Sequence, residues 1–230
     1  MIYHSLVDEY RRLEACHRRT LVRRAARLVL GGSVIRVLDP GADHDVLSVL
    51  VRLRVDTVPT LVGQEGFRRW FERALRRVSA AIIIRNADSP RVHPGCKWGH
   101  GTKILTLFLR ELVMSSRCFS DTDAERIAPW LYTPLDRIAL NRLSQLGYPN
   151  GIHAIKHLDS ARVFYRIQDD LSEAAARVGV PRIWFDDVWA GYETGVALDG
   201  GCLPAILGDV PAVRCPLPRA APGSGCDQPQ

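Results

Sequence analysis

Between Gly66 and Ile84 apolar side chains return every three or four positions, and most of the residues between them are arginine. Phe67, Trp70, Phe71, Ala74, Leu75 and Val78 fall on one side of a 3.6-residue helix, with Arg68, Arg69, Arg73, Arg76 and Arg77 on the other. Such a stripe needs a core to cover its aromatic face, so these rings are expected to pack inside rather than to serve as a base-stacking platform.

The same period organises much of the chain, and the fold class it predicts is mainly α. The first thirty residues form one amphipathic helix, with Leu6, Tyr10, Leu13 and His17 at helical spacing and Gly31-Gly32 as its stop. Its other face carries Arg12, Arg19, Arg23 and Arg27, a basic stripe suited either to a phosphate backbone or simply to solvent. Ile104 to Met114 is a strongly apolar helix. Asp121 opens a short one, with Asp123 and Glu125 in its first turn, and Pro134 begins another that runs to Gly147. Ser160 to Val178 is capped by Ser160 and closed by Gly179 and Pro181, burying Val163, Phe164, Ile167, Leu171 and Ala175. Val34 to Val62 alternates in places, so strand and helix are not separable there and minor β content near 34–62 stays open. Asn86 to Gly95, with Pro90 and Pro94, is a loop.

A length of 230 residues, 47% of them hydrophobic, suits one domain, placed over 1–198 with a motif region at 96–147. The Gly- and Pro-rich stretch 199–230 reads as an irregular tail. No apolar run approaches the roughly 18 residues needed to span a bilayer, which predicts no membrane association. The opening MIYHSLVDEY lacks a secretory h-region, so a cytoplasmic location is expected. The 6 cysteines show neither a CxxC pair nor zinc spacing, which predicts free thiols and no metal site.

A formal net charge of +6 biases the chain towards polyanions. Of the 31 Lys and Arg residues only Lys97, Lys103 and Lys156 are lysine. A lysine that persists in so arginine-rich a chain is a candidate for a role that needs an amine, because a guanidinium cannot shed its proton to become a nucleophile. Two of the three bracket Trp98-Gly99-His100-Gly101-Thr102, which reads as a tight turn running into a helix and exposing backbone N–H groups to a phosphate, or as a purely structural turn. His100 alone makes no ligand cluster. Asp169-Asp170 and Asp186-Asp187 lack metal-site spacing and read as exposed acid faces.

Gly99-x-Gly101-Thr102-Lys103 is similar to the hairpin and following helix of the helix-hairpin-helix DNA glycosylases, above all the 8-oxoguanine glycosylase-like branch. Tyr132-Thr133-Pro134-Leu135-Asp136-Arg137 resembles that family's proline-apolar-aspartate element, in which the aspartate opens a helix beside the lysine. The close resemblance covers about fifty residues. It implies a glycosylase-like helical domain that excises a modified or damaged base by cleaving its N-glycosidic bond.

In that reading Lys103 and Asp136 are catalytic, with Lys103 able to form a Schiff base and support AP lyase activity. Gly99, His100, Gly101, Thr102, Lys97 and Arg137 contact DNA, Lys97 also being a rival nucleophile. Trp98, Tyr165 and Gln168 line the base pocket, with Trp184, Phe185 and Trp189 as further candidate walls. Set against these roles, Asp136 is equally suited to be a helix N-cap and Lys103 to be a surface residue. The expected partner is double-stranded DNA containing a modified base, with no cofactor and no obligate protein partner. Two other functions stay open: a non-catalytic DNA-binding module on a degenerate glycosylase scaffold, and a helical protein-interaction domain. Whether the base is 8-oxoguanine or a bulkier modified pyrimidine, and whether the setting is repair or antiviral defence, is also open.

Overall fold

A computed structural model of the chain describes residues 2–31, 34–85, 96–145, 154–158 and 160–193. The expected loop at 86–95, the Gly147 stop and the tail at 199–230 lie outside the described residues. Within them the protein is mainly helical: α1 (Ile2–Val29), α2 (Ala42–Val51), α3 (Gly63–Ala81), α4 (Cys96–Arg110), α5 (Asp121–Ile127), α6 (Arg137–Gln145), α7 (Ala161–Val178) and α8 (Trp184–Glu193). Short 3-10 turns join several of them, and α4 runs into a π-helical turn at Glu111–Ser115, closed by the Ser116 N–H on the Glu111 carbonyl at 2.9 Å.

α3 occupies the middle of the packing, against α2 on one side and α4 on the other. All six residues of its predicted apolar stripe are buried. Its aromatic face meets two other elements at once. The Phe71 ring lies edge-on to Tyr132 at 4.8 Å and stacked with Phe164 of α7 at 6.0 Å, while Tyr132 and Phe164 meet edge-on at 5.4 Å. The segment between α5 and α6, which carries Tyr132, is thereby fixed to the core.

Two expectations need correction, and one open question is answered. The apolar stripe at the start of α1 is exposed, with Leu6 at 64%, Tyr10 at 69% and Leu13 at 60%; the helix packs near its end, burying Val22, Ala25, Ala26 and, just beyond it, Leu30, with Leu21 and Val29 partly buried against the core. Periodicity shows that a face is apolar, not that anything covers it. The open question at 34–62 resolves to helix, and β structure among the described residues is a single antiparallel bridge between Leu38 and Ile84. Pro134 does not begin a helix; α6 starts at Arg137, and residues 131–135 run buried and irregular before it. Among the described residues no helix is long and apolar enough to cross a membrane.

Candidate functional site

Asp136 sits immediately before α6 and caps it. Its Oδ1 accepts from the N–H groups of Ile138 at 2.9 Å and Ala139 at 3.2 Å, and its carbonyl takes the first helical bond, from Leu140 N–H at 2.9 Å. The other oxygen, Oδ2, faces Lys103 Nζ of α4 at 3.3 Å, across 33 positions of sequence. Capping and pairing are therefore one arrangement, with each carboxylate oxygen committed to a different partner. The two side chains are 16% and 22% exposed, which shields the pair from bulk water while leaving it reachable from outside.

The segment that delivers Asp136 is held by buried hydrogen bonds. Thr133 N–H donates to Gln168 Oε1 at 2.9 Å, Gln168 Nε2 donates back to the Thr133 carbonyl at 2.7 Å, and Thr133 Oγ1 donates to the Arg182 carbonyl at 2.8 Å. The buried Arg182 guanidinium donates to the carbonyls of Leu131 at 2.8 Å, Trp130 at 2.9 Å and Gln168 at 3.1 Å, and lies 4.4 Å from the Tyr132 ring centre. Burial brings its pKa down to about 10, still protonated at neutral pH. Carbonyl dipoles and a π face stand in for a carboxylate partner. A carboxylate aimed by such a scaffold is preorganised, since little has to move before it acts.

The glycine-bearing turn expected before Lys103 is not formed. Gly99, His100, Gly101 and Thr102 are helical residues of α4, all buried, and Lys103 stands in the body of that helix. Each glycine admits a neighbour: a Cβ on Gly99 would overlap the Ile155 carbonyl oxygen, and one on Gly101 would overlap Ser79 Oγ of α3. Thr102 Oγ1 donates to the Gly99 carbonyl at 2.7 Å, inside the same helix. Close packing, not phosphate binding by a loop, accounts for these residues. Lys97, near the start of α4, and Arg137, at the start of α6, are exposed.

The expected pocket lining also needs correction. Gln168 is fully buried with its amide spent on Thr133, so no edge is left to read a base. Tyr165 is buried among Tyr132 and Phe164, with the Arg68 guanidinium 3.9 Å over its ring. Trp98 is half-buried, edge-on to Phe164 at 5.6 Å. Phe185 and Trp189 stack on each other at 5.0 Å, and Trp184 is exposed.

One buried acid is not expected from the sequence. Asp186 of α8 is not on an exposed acid face: its side chain is 17% exposed and pairs with Arg110 Nη1 of α4 at 3.5 Å, while the half-exposed Asp187 takes the other guanidinium nitrogen. Arg110 lies seven positions beyond Lys103, two turns along the same face of α4. Burial raises the Asp186 pKa from 3.8 to about 6; Arg110 and Lys103 pull it down, and Asp136 and Asp187 push it up. Its spacing offered a signal, since Asp186 falls three positions after buried Ile183 and three before buried Trp189, in phase with the apolar stripe.

Among the described residues no group of three or more His, Cys, Asp and Glu side chains is placed to hold a metal ion. Comparison with protein-family models, with curated proteins and with solved structures finds no match to this chain.

Proposed function

We propose that this protein is a DNA glycosylase that excises a modified or damaged base and captures the sugar through Lys103. The observation that carries the reading is the 3.3 Å approach of Lys103 Nζ to Asp136 Oδ2, at a partly exposed site where the aspartate also heads a helix. Cleavage of an N-glycosidic bond builds positive charge on the sugar. A fixed carboxylate opposes that charge, and Asp136 is fixed by two backbone N–H groups as well as by the ammonium. A neutral lysine amine is a nucleophile for C1′ and leads to a Schiff base, from which elimination cuts the strand. Net charge of +6, the exposed arginines of α1 and exposed Lys97 and Arg137 suit a phosphate backbone. The base would be extruded from the duplex to reach the pair.

A second reading, a non-catalytic DNA-binding module on a degenerate scaffold, is favoured by one finding: the glycines that resemble a DNA-contacting hairpin serve helix packing instead. Borohydride trapping separates the two. The module would retain salt-sensitive DNA binding in Asp136→Asn and give no covalent product with any duplex.

A further inference from the structure

Excision as proposed leaves two protons to be managed. The departing base needs one on the nitrogen that loses the sugar, or on an oxygen conjugated with it, and the lysine adduct must shed one. Asp136 is poorly placed to protonate the base, because Oδ1 already accepts two backbone N–H groups and Oδ2 faces Lys103 Nζ at 3.3 Å, where it is placed to take a proton from the lysine. Arg110 keeps its proton, Lys103 reacts as the neutral amine and so has none to give the base, and Asp187 is half-exposed.

Asp186 differs from all of these. It is a carboxyl on a third helix, brought to the Lys103–Asp136 pair by packing of α8 against α6, and held by Arg110 from α4. Arg110 contacts it at 3.5 Å, and the other charges that act on it are Lys103 from α4, Asp136 from the head of α6 and Asp187 from its own helix. We propose that Asp186 is the proton donor to the departing base, an inference that rests on the glycosylase reading.

The step balances as follows. The C1′–N bond of the nucleotide breaks and its electron pair goes to the base, which takes the Asp186 carboxyl proton and leaves neutral. Lys103 first passes its ammonium proton by way of Asp136 Oδ2 to water, and the lone pair of the neutral amine then forms the new C1′–N bond. The proton shed by that adduct passes to Asp136 Oδ2 and on to water, and the Asp186 carboxylate regains its own proton from solvent. Burial holds Asp186 as an acid to a higher pH than an exposed aspartate, to about 6. No redox partner or metal is involved.

The test uses two probes with the full chain. One is a panel of duplexes carrying 8-oxoguanine, uracil, 5-hydroxymethyluracil or glucosylated 5-hydroxymethylcytosine, scored for base release in single turnover. The other is a duplex with a preformed abasic site, trapped with borohydride, which asks for Lys103 chemistry but not for base departure. Asp186→Asn is expected to slow base release about 100-fold or more, the usual span of general acid catalysis, and to remove the fall in rate above pH 6. Abasic-site trapping is expected to stay within about threefold of wild type. Asp186→Glu is expected to recover part of the release rate together with the fall above pH 6.

Base release by Asp186→Asn at the wild-type rate with an unchanged pH profile would overturn the proposal. So would parallel loss of release, trapping and thermal stability, which would mark Asp186 as structural only. Failure of the glycosylase reading looks different: wild type itself would neither release any base in the panel nor trap on the abasic duplex, and the inference would fall with it.

Discussion

The amide of Gln168 meets Thr133 twice, donating from Nε2 to the carbonyl at 2.7 Å and accepting at Oε1 from the N–H at 2.9 Å. This clamp, with the Arg182 guanidinium on the carbonyls of Trp130 and Leu131, fixes the irregular run that ends in Asp136. The position of Asp136 thus depends on polar groups buried in the core.

Gln168→Leu tests that dependence. It leaves a buried N–H and a buried carbonyl without partners, each costing about 1–3 kcal/mol, so the variant is expected to lose about 2–6 kcal/mol in denaturant or thermal unfolding. A base-reading role for Gln168 would instead leave stability within about 0.5 kcal/mol and change the preferred base.

The glycines of α4 give a second test. Gly99→Ala places a methyl group on the backbone of Ile155, which cannot step aside cheaply, and is expected to destabilise by about 3 kcal/mol or more. In Gly101→Ala the obstruction is the Ser79 hydroxyl, whose Oγ has no hydrogen-bond partner. Ser79→Ala is therefore expected to restore most of the stability lost in Gly101→Ala, and thermal melts of the two single variants and the double variant measure the coupling. If both glycines served a DNA-contacting turn, Gly→Ala would reduce DNA affinity without this coupling to Ser79.

Much of this architecture is local and some is not. The helix over 66–84 is readable because one residue in three or four is apolar and the stripe is wide, and its buried set agrees with the structure at each of the six positions. Lys103 and Asp136 were found through resemblance, and the structure brings them together. The missed features are long-range. An apolar stripe on α1 says nothing of what covers it, and Leu6, Tyr10 and Leu13 are exposed. Gly99 and Gly101 look like a turn until Ile155 and Ser79 are seen against them. Arg182 is one arginine among many, and only the folded chain surrounds it with carbonyl oxygens. Asp186 carries the phase of a buried stripe, but an acid pair in the first turn of a helix is also what the helix dipole favours.

Stability as a function of pH provides a third test. The Asp186 carboxyl has a folded pKa near 6, above the ordinary 3.8, so the folded state binds this proton more tightly than the unfolded state. The stabilisation is fully present below about pH 4 and is lost as pH rises through 6; ionised Asp186 then costs on the order of 2–3 kcal/mol. Asp186→Asn stays neutral throughout. Its melting temperature relative to wild type is expected to rise between pH 4.5 and pH 7.5, because the wild type alone acquires a buried charge over that range. A variant that is less stable at pH 7.5 than at pH 4.5, relative to wild type, would make the Arg110–Asp186 pair a net structural asset instead.

If Lys103 and Asp136 act together on the sugar of a nucleotide, borohydride trapping on a duplex with a preformed abasic site captures that joint action as a covalent product. Wild type is predicted to form a covalent protein–DNA adduct that maps to Lys103 and is absent in Lys103→Gln, with Asp136→Asn slowing its formation about 10-fold or more. No adduct with wild type, or an adduct of undiminished yield in Lys103→Gln, would contradict the account.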